Sequence, residues 1–225
     1  MRVLRGRAAD PERDFERTRE MAVRTAETGE PALRAWRPHR QVAFGRRDAR
    51  SDGYDLARGI ARNRGYVPLE REVGGRAVAY TGSTVAFALA RPADDRSGIR
   101  DRYADATDRL RAALADLGVD ADEGEPPDSF CPGTHSLRAD GKIAGLAQRV
   151  RQDVALVAGV VVVADREEIA AVLDPVYDAL DVPFDPDSVG SVAAAGSPSD
   201  PDAIIDALIR AFVPDDYRVE RIRET

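Results

Sequence analysis

Cysteine occurs once in this 225-residue chain, at Cys131, and histidine twice, at His39 and His135. A single thiol forms no internal disulfide, which fits a reducing compartment. One cysteine and two distant histidines give no cluster with metal-ligand spacing, so no structural zinc site is expected. Long hydrophobic runs are also missing. The strongest, Val154 to Ala164, is too short to cross a bilayer as a helix. The opening residues, Met1-Arg2-Val3-Leu4-Arg5-Gly6-Arg7, have neither the apolar core nor the small-residue cleavage site of a secretory leader. The expectation is a cytoplasmic protein with no membrane association. Lysine is the scarcest charged residue: of 33 basic residues, 32 are arginine, and Lys142 stands alone.

What is present describes a globular chain. Hydrophobic residues make up 43% and charged residues 32%, over a length that suits one large domain or a domain with an appendage. The net charge of −7 is unevenly spread, near +6 over residues 1–90 and −13 over residues 91–225. The basic half can steer an acidic partner over a distance, or it can be a set of solvated faces. An arginine- and aspartate-rich chain also suits a high-GC genome or a salt-loving host, and in high salt the steering is screened.

The pattern along the chain alternates short strands with amphipathic helices. Asp10-Pro11-Glu12 reads as a helix start, with a side-chain cap, a proline at the first helical position and an acid near the positive dipole end. That helix runs to Thr28-Gly29. Ala32–Trp36 and Gln41–Phe44 read as strands, Asp52–Arg64 as a helix with Leu56 and Ile60 four apart, and 67–71, 77–80 and 84–90 as strands. Ile99, Tyr103, Leu110, Leu114 and Leu117 share one face of a further helix that stops at Gly118. After an acidic loop at 120–128 come strands near 136–138, 142–150 and 154–163, then helices over 166–173 and 200–212. The reading is an α+β fold: a mixed, largely antiparallel sheet flanked by helices, occupying residues 1–165. A helical C-terminal extension over 166–225 completes it.

Two segments carry chemistry. In Arg71-Glu72-Val73-Gly74-Gly75-Arg76, a glycine pair lies between two strands with an arginine on either side. Such glycines let backbone amides approach a ligand, and the arginines offer donors to a carboxylate or phosphate. The second segment holds both singletons. Cys131 is followed by Pro132-Gly133, which suggests a loop and not a core strand. Lys142 lies in Gly141-Lys142-Ile143-Ala144-Gly145, at the start of a strand. Most lone cysteines are inert and most lysines are on the surface. A chain that uses arginine on its surface, however, makes its one lysine informative, because lysine is a compact charge on a flexible stem. Held among small residues, it can stabilise developing negative charge on an acyl oxygen. His135 is the nearest histidine to Cys131 in sequence and offers a base, or simply a loop side chain.

These residues resemble the biotin/lipoate protein ligase superfamily, over roughly residues 33–163. The carriers are Arg71-Glu72-Val73-Gly74-Gly75-Arg76-Ala77-Val78 and Gly141-Lys142-Ile143-Ala144-Gly145-Leu146-Ala147-Gln148-Arg149. Within that superfamily, Ser129-Phe130-Cys131-Pro132-Gly133 with Ser136-Leu137 is similar to the cysteine-dependent octanoyl/lipoyl amidotransferases. The resemblance implies that Cys131 accepts the acyl group as a thioester and that Lys142 contacts the acyl carbonyl. It implies that Arg71, Gly74, Gly75 and Arg76, with Gly141, Gly145 and Ala147, line the substrate site; no residue of the chain is assigned as a metal ligand. A histidine often found after the glycine pair is replaced here by Tyr80-Thr81, so the general base is left unassigned.

The implied reaction moves an octanoyl or lipoyl group to a lysine of a lipoyl-domain protein or a glycine-cleavage H-type protein. An acyl-carrier protein is one candidate donor, and no cofactor is needed on the thioester route. The alternative chemistry is an ATP-dependent lipoate–protein ligase working through lipoyl-AMP, with ATP and Mg2+. A third reading is a non-catalytic subunit that binds a lipoyl domain or an acyl chain, with the basic half as docking face. A biotin-handling relative remains open, but a DNA-binding repressor does not fit: the first helix leads directly into strands, with no helix-turn-helix and no nucleic-acid partner implied.

Overall fold

In a computed structural model of the chain, the residues described are 1–71, 75–93, 98–151, 153–197 and 200–222. Among these, eleven strands and five α-helices follow in the order β1 (Arg2–Arg5), α1 (Pro11–Thr28), β2 (Ala32–Trp36), β3 (Gln41–Phe44), α2 (Tyr54–Asn63), β4 (Val67–Glu70), β5 (Val78–Tyr80), β6 (Thr84–Pro92), α3 (Ile99–Ala115), β7 (Asp122–Glu123), β8 (Ser136–Ala139), β9 (Gly141–Arg151), β10 (Val154–Val162), α4 (Arg166–Ala179), α5 (Pro201–Phe212) and β11 (Arg218–Arg221). Eight strands form one sheet in the order β11-β1-β2-β6-β10-β9-β8-β7, and β4-β3-β5 form a second. From β2 to β7 the large sheet is antiparallel, while β1 runs parallel to both β2 and β11. The fold is therefore the mixed α+β arrangement expected from the sequence.

Helix α1 begins as its sequence dictates: the Asp10 carboxylate accepts from Arg13 N at 2.8 Å, and Pro11 opens the first turn. The helix lies across one face of the large sheet, against β6 and β10. The opposite face carries Leu33, Val85, Phe87, Leu89, Val157 and Val161, which pack against Leu110 and Leu114 of α3 and Ile205, Leu208 and Phe212 of α5. A second core joins the small sheet to α2 and α4 through Val42, Phe44, Val78, Leu173 and Tyr177.

Several details depart from the sequence expectation. In α2 the buried positions are Ala57 and Ala61, while Leu56 is 62% exposed, because small residues let this helix lie close to α4. Ile99 likewise starts α3 in solvent and not on its buried face. Helix α4 continues through Pro175 to Ala179. An interior proline costs roughly 3 kcal/mol of helix stability, and burial of Val172, Leu173, Val176 and Tyr177 offsets it. The C-terminal segment is not purely helical. Arg218–Arg221 forms β11, in register with Arg2–Arg5, and this outermost strand is short and arginine-flanked, as suits a sheet edge.

Candidate functional site

The α1 side of the large sheet is floored by small residues. Directly paired residues on neighbouring strands point to the same face, so Ser136, Gly145, Val160, Ala86 and Trp36 make one row across β8, β9, β10, β6 and β2. A second row is Ala147, Ala158, Ala88 and Arg34. With alanine and glycine in these rows the sheet surface is low, and α1 bridges over it. The space between is a cavity of about 760 Å³, lined by Ala22 and Ala26 above, Ala86, Ala88, Ala147 and Ala158 below, and Trp36 at the β2 side. At about 4.8 Å per strand, Gly145 and Trp36 lie about 14 Å apart.

The α1 roof is fixed to this floor by a buried ion pair. Arg34 donates to the Asp14 carboxylate, to Asp14 O at 2.6 Å and to Thr18 Oγ1 at 3.0 Å, and its guanidinium lies 4.0 Å from the centre of the Trp36 ring. Burial lowers the Arg34 pKa, and Asp14 opposes that shift.

Cys131 lies at the other end of the cavity. Its backbone is left-handed, with φ 43°, a conformation that costs a non-glycine residue energy and therefore needs external support. Support comes from both sides. Cys131 N donates to Tyr177 Oη at 2.6 Å, and Tyr177 in turn donates to Ala77 O at 2.9 Å. The Cys131 carbonyl accepts from Lys142 Nζ at 2.8 Å. The Cys131 sulfur accepts from Arg71 Nη2 at 3.0 Å, and the same nitrogen donates to Arg76 O at 2.6 Å. Burial of Arg71 opposes its charge, but Cys131 together with the Tyr80 and Tyr177 hydroxyls raises its pKa on balance. The guanidinium is thus placed to stabilise negative charge on sulfur. Burial, with Cys131 nearby, holds the Tyr177 hydroxyl well above the ordinary phenol range, so it acts here as a neutral donor and acceptor.

Lys142 is 1% exposed, so its scarcity did signal an uncommon place. Each of its three ammonium hydrogens has an acceptor: Glu125 Oε2 at 2.7 Å, Phe130 O at 2.9 Å and Cys131 O at 2.8 Å. Glu125 also accepts from Gly133 N at 2.9 Å and from Ser136 Oγ at 2.8 Å. Burial works against the Glu125 charge, but the bonds from Lys142 and Ser136 prevail and hold its carboxyl below the usual range.

The other candidates divide clearly. Arg71, Gly75, Gly145 and Ala147 line the cavity with Cys131 and Lys142. Gly75 has φ +103°, and a Cβ there would sit 2.5 Å from Cys131 Sγ and 2.7 Å from Arg71 Nη2. Arg76 and Gly141 lie off the cavity. Arg76 pairs with buried Asp48 at 3.1 Å, and only its carbonyl meets Arg71. Gly141, with φ +83°, packs against the backbone of Ser188, Val189 and Gly190. Gly74 falls outside the described residues. His135 stacks on Tyr103, with ring centres 3.7 Å apart, and forms part of the cavity wall.

The sequence reading missed Glu125, Tyr177 and Trp36. Glu125 is one of many acids in a loop, and nothing local marks it. Tyr177 lies beyond a proline, the ordinary signal for the end of a helix. Trp36, the single tryptophan, carried a signal in its rarity that went unused. Among the described residues, no group of three or more His, Cys, Asp and Glu is arranged to hold a metal ion, and no helix is long and apolar enough to cross a membrane.

Comparison with known proteins places the chain in a family. Residues 10–213 match the lipoyl protein ligase A/B catalytic domain. The chain is 31% identical over 147 residues to an octanoyl-[GcvH]:protein N-octanoyltransferase of Exiguobacterium sp., a match covering 64% of this chain and 52% of that protein. It is 27% identical over 122 residues to a lipoyl-[GcvH]:protein N-lipoyltransferase of Listeria monocytogenes, covering 52% and 43%. The chain thus spans about half the length of the curated relatives it matches. Its fold is similar to that of a lipoate-protein ligase A bound with ATP, with a TM-score of 0.78, 24% identity, and coverage of 99% of this chain and 89% of the other. A lipoate protein ligase from T. acidophilum with bound lipoic acid gives a TM-score of 0.70 at 23% identity, covering 99% and 90%. With the match running over nearly its whole length, the chain belongs to the lipoyl protein ligase A/B catalytic domain family.

Proposed function

We propose that this protein transfers an octanoyl or lipoyl group to the lysine of a lipoyl-domain or H-type protein through a thioester on Cys131. One observation carries the reading: the only thiol in the chain touches a buried guanidinium at 3.0 Å and opens onto an apolar-floored cavity. The curated relatives named for transfer between H-type and other proteins support the same substrates.

The steps balance simply. The Cys131 sulfur attacks the acyl carbonyl of the donor, the C–S bond forms, and the donor's amide or thioester bond breaks. The thiol proton leaves with the departing amine or thiol. The acceptor ε-amine then attacks the thioester, the new amide forms, and the thiol is restored. Each attack passes through an oxyanion, which Arg71 and Lys142, the two cations that contact Cys131, would stabilise. Tyr177 of α4, within the C-terminal extension, contributes its hydroxyl to the Cys131 turn.

The ATP-dependent alternative draws on the fold shared with an ATP-bound ligase. The residues present fit it less well. Lys142 has every hydrogen engaged by Glu125 and two carbonyls, and Arg71 Nη2 is shared between Cys131 and Arg76. In this conformation they do not form a cradle for a triphosphate and Mg2+.

Intact mass spectrometry after incubation with octanoyl-H protein or octanoyl-acyl-carrier protein tests the proposal. The expected result is one octanoyl adduct, lost in Cys131→Ser. Full transfer by Cys131→Ala, or lipoate-dependent pyrophosphate release that survives that substitution, overturns it.

A further inference from the structure

We propose that Glu125 is a positioning residue that anchors Lys142 and the nucleophile turn as one unit, leaving Lys142 able to hand a hydrogen bond from that turn to the incoming acyl carbonyl. The proposal rests on the thioester reading above. It begins from the distribution of the Glu125 contacts. One oxygen takes Lys142 Nζ at 2.7 Å and Ser136 Oγ at 2.8 Å, and the other takes Gly133 N at 2.9 Å. These bonds reach both sides of Cys131. Gly133 and Ser136 follow it in the chain, and Lys142 holds the carbonyls of Phe130 and of Cys131 itself. The neighbouring acids Asp122 and Glu123 are exposed, whereas the Glu125 side chain is only 20% exposed.

The occupancy of Lys142 makes Glu125 more than a brace. With three hydrogens and three acceptors, Lys142 reaches an acyl carbonyl only by exchanging one partner. The bond to Glu125 pairs two opposite charges, whereas the two carbonyls carry only partial charge, so the carboxylate is retained and a backbone carbonyl is released. Release of the Cys131 carbonyl would remove one of two ties on a left-handed backbone, leaving the tie from Tyr177. Arrival of the acyl group is thereby linked to freedom of the thiol. Without the carboxylate, a buried Lys142 has no counter-charge and the 133–136 turn loses both of its bonds to Glu125.

Glutamine tests this closely, because its single carbonyl oxygen cannot replace both carboxylate oxygens and its amide nitrogen would face donors. Glu125→Gln and Glu125→Asp are compared with wild type and with the exposed control Glu123→Gln. Three quantities are read: single-turnover octanoylation of Cys131, its alkylation by iodoacetamide followed by intact mass, and the thermal midpoint. Octanoylation is expected to slow about 10- to 100-fold in Glu125→Gln, the equivalent of one charge-assisted bond. The KM for the octanoyl donor should hold, and aspartate should recover part of the rate. Alkylation should fall about 3- to 10-fold as the sulfur loses its fixed contact with Arg71. Octanoylation and alkylation at wild-type rates in Glu125→Gln overturn the proposal. So does a rate loss fully accounted for by the fraction unfolded. A wild-type protein that forms no adduct overturns the thioester reading alone, and alkylation, which needs only a presented thiol, then decides for or against Glu125.

Discussion

Adding one methyl group at Gly75 tests the site more sharply than removing any of its polar groups. Two effects of Gly75→Ala can be separated. The first is backbone strain: at φ +103° an L-residue is disfavoured by roughly 1–2 kcal/mol. At about 2–4 °C per kcal/mol for a domain of this size, the midpoint should fall by about 2–8 °C. The second is steric. The new Cβ would lie 2.5 Å from Cys131 Sγ and 2.7 Å from Arg71 Nη2, closer than the 3.0 Å that real Cβ atoms respect. Either the sulfur retreats or the guanidinium does, and their 3.0 Å contact is lost in both cases. A displacement of about 1 Å at a reacting centre costs on the order of 100-fold in rate. Gly65→Ala supplies the control. Gly65 also has positive φ, at +79°, and a Cβ added there would meet nothing within 4 Å. It should lose comparable stability and keep full activity. The assay is single-turnover octanoylation of Cys131 by intact mass, run at a temperature where both variants are folded. Equal rates in Gly75→Ala and Gly65→Ala would refute the assignment of Gly75 and Arg71 to the reacting centre.

Tyr177→Phe removes the hydroxyl that accepts from Cys131 N and donates to Ala77 O. It should cost about 1–3 kcal/mol in urea unfolding, because a buried amide and carbonyl lose their partner, and acylation should slow; unchanged stability would count against the clamp. Trp36→Ala opens the β2 side of the cavity, so dodecanoyl donors should compete with octanoyl donors in the variant but not in wild type, as read by adduct mass. The Glu125 carboxyl is held below its usual range by Lys142 and Ser136 against the effect of burial. Its contribution to stability is therefore fully present above the ordinary glutamate pKa of about 4.3 and is lost as pH falls through the lower folded value. Urea midpoints measured down to about pH 3 should drop less steeply in Glu125→Gln than in wild type.

The sequence made the scaffold legible because its elements announce themselves locally. The Asp10-Pro11 start, the short apolar stretch of Ala32–Trp36 and the valine run of β10 each carry their own cap or composition. The two terminal strands did not. Arg2–Arg5 and Arg218–Arg221 pair across the whole length of the chain, and four residues with two arginines carry no strand signal until their partner is known. Pro175 misled for a related reason: burial of Tyr177 and its neighbours outweighs a local helix-breaking cost, and that burial is a tertiary fact.

The same distinction explains the site. Cys131 and Lys142 were legible because each is unique of its type, and uniqueness can be read without a fold. Glu125 and Tyr177 were not, because what distinguishes them is their partners. Glu125 differs from Glu123 only in the hydrogen bonds the fold gives it. The sequence therefore pointed to the two groups proposed to react and left their supports unseen. This changes the reading of Lys142. As a lone lysine among glycines it suggested a free donor for an acyl oxygen, yet the fold shows all its hydrogens committed, two of them to the turn that carries the thiol. In the proposed transfer, a lysine that must give up a bond to the backbone of the Cys131 turn before it can meet the acyl carbonyl couples the two events by geometry. That coupling comes from the backbone carbonyls of Phe130 and Cys131, which every residue type possesses, and so no inspection of side chains in sequence would have found it.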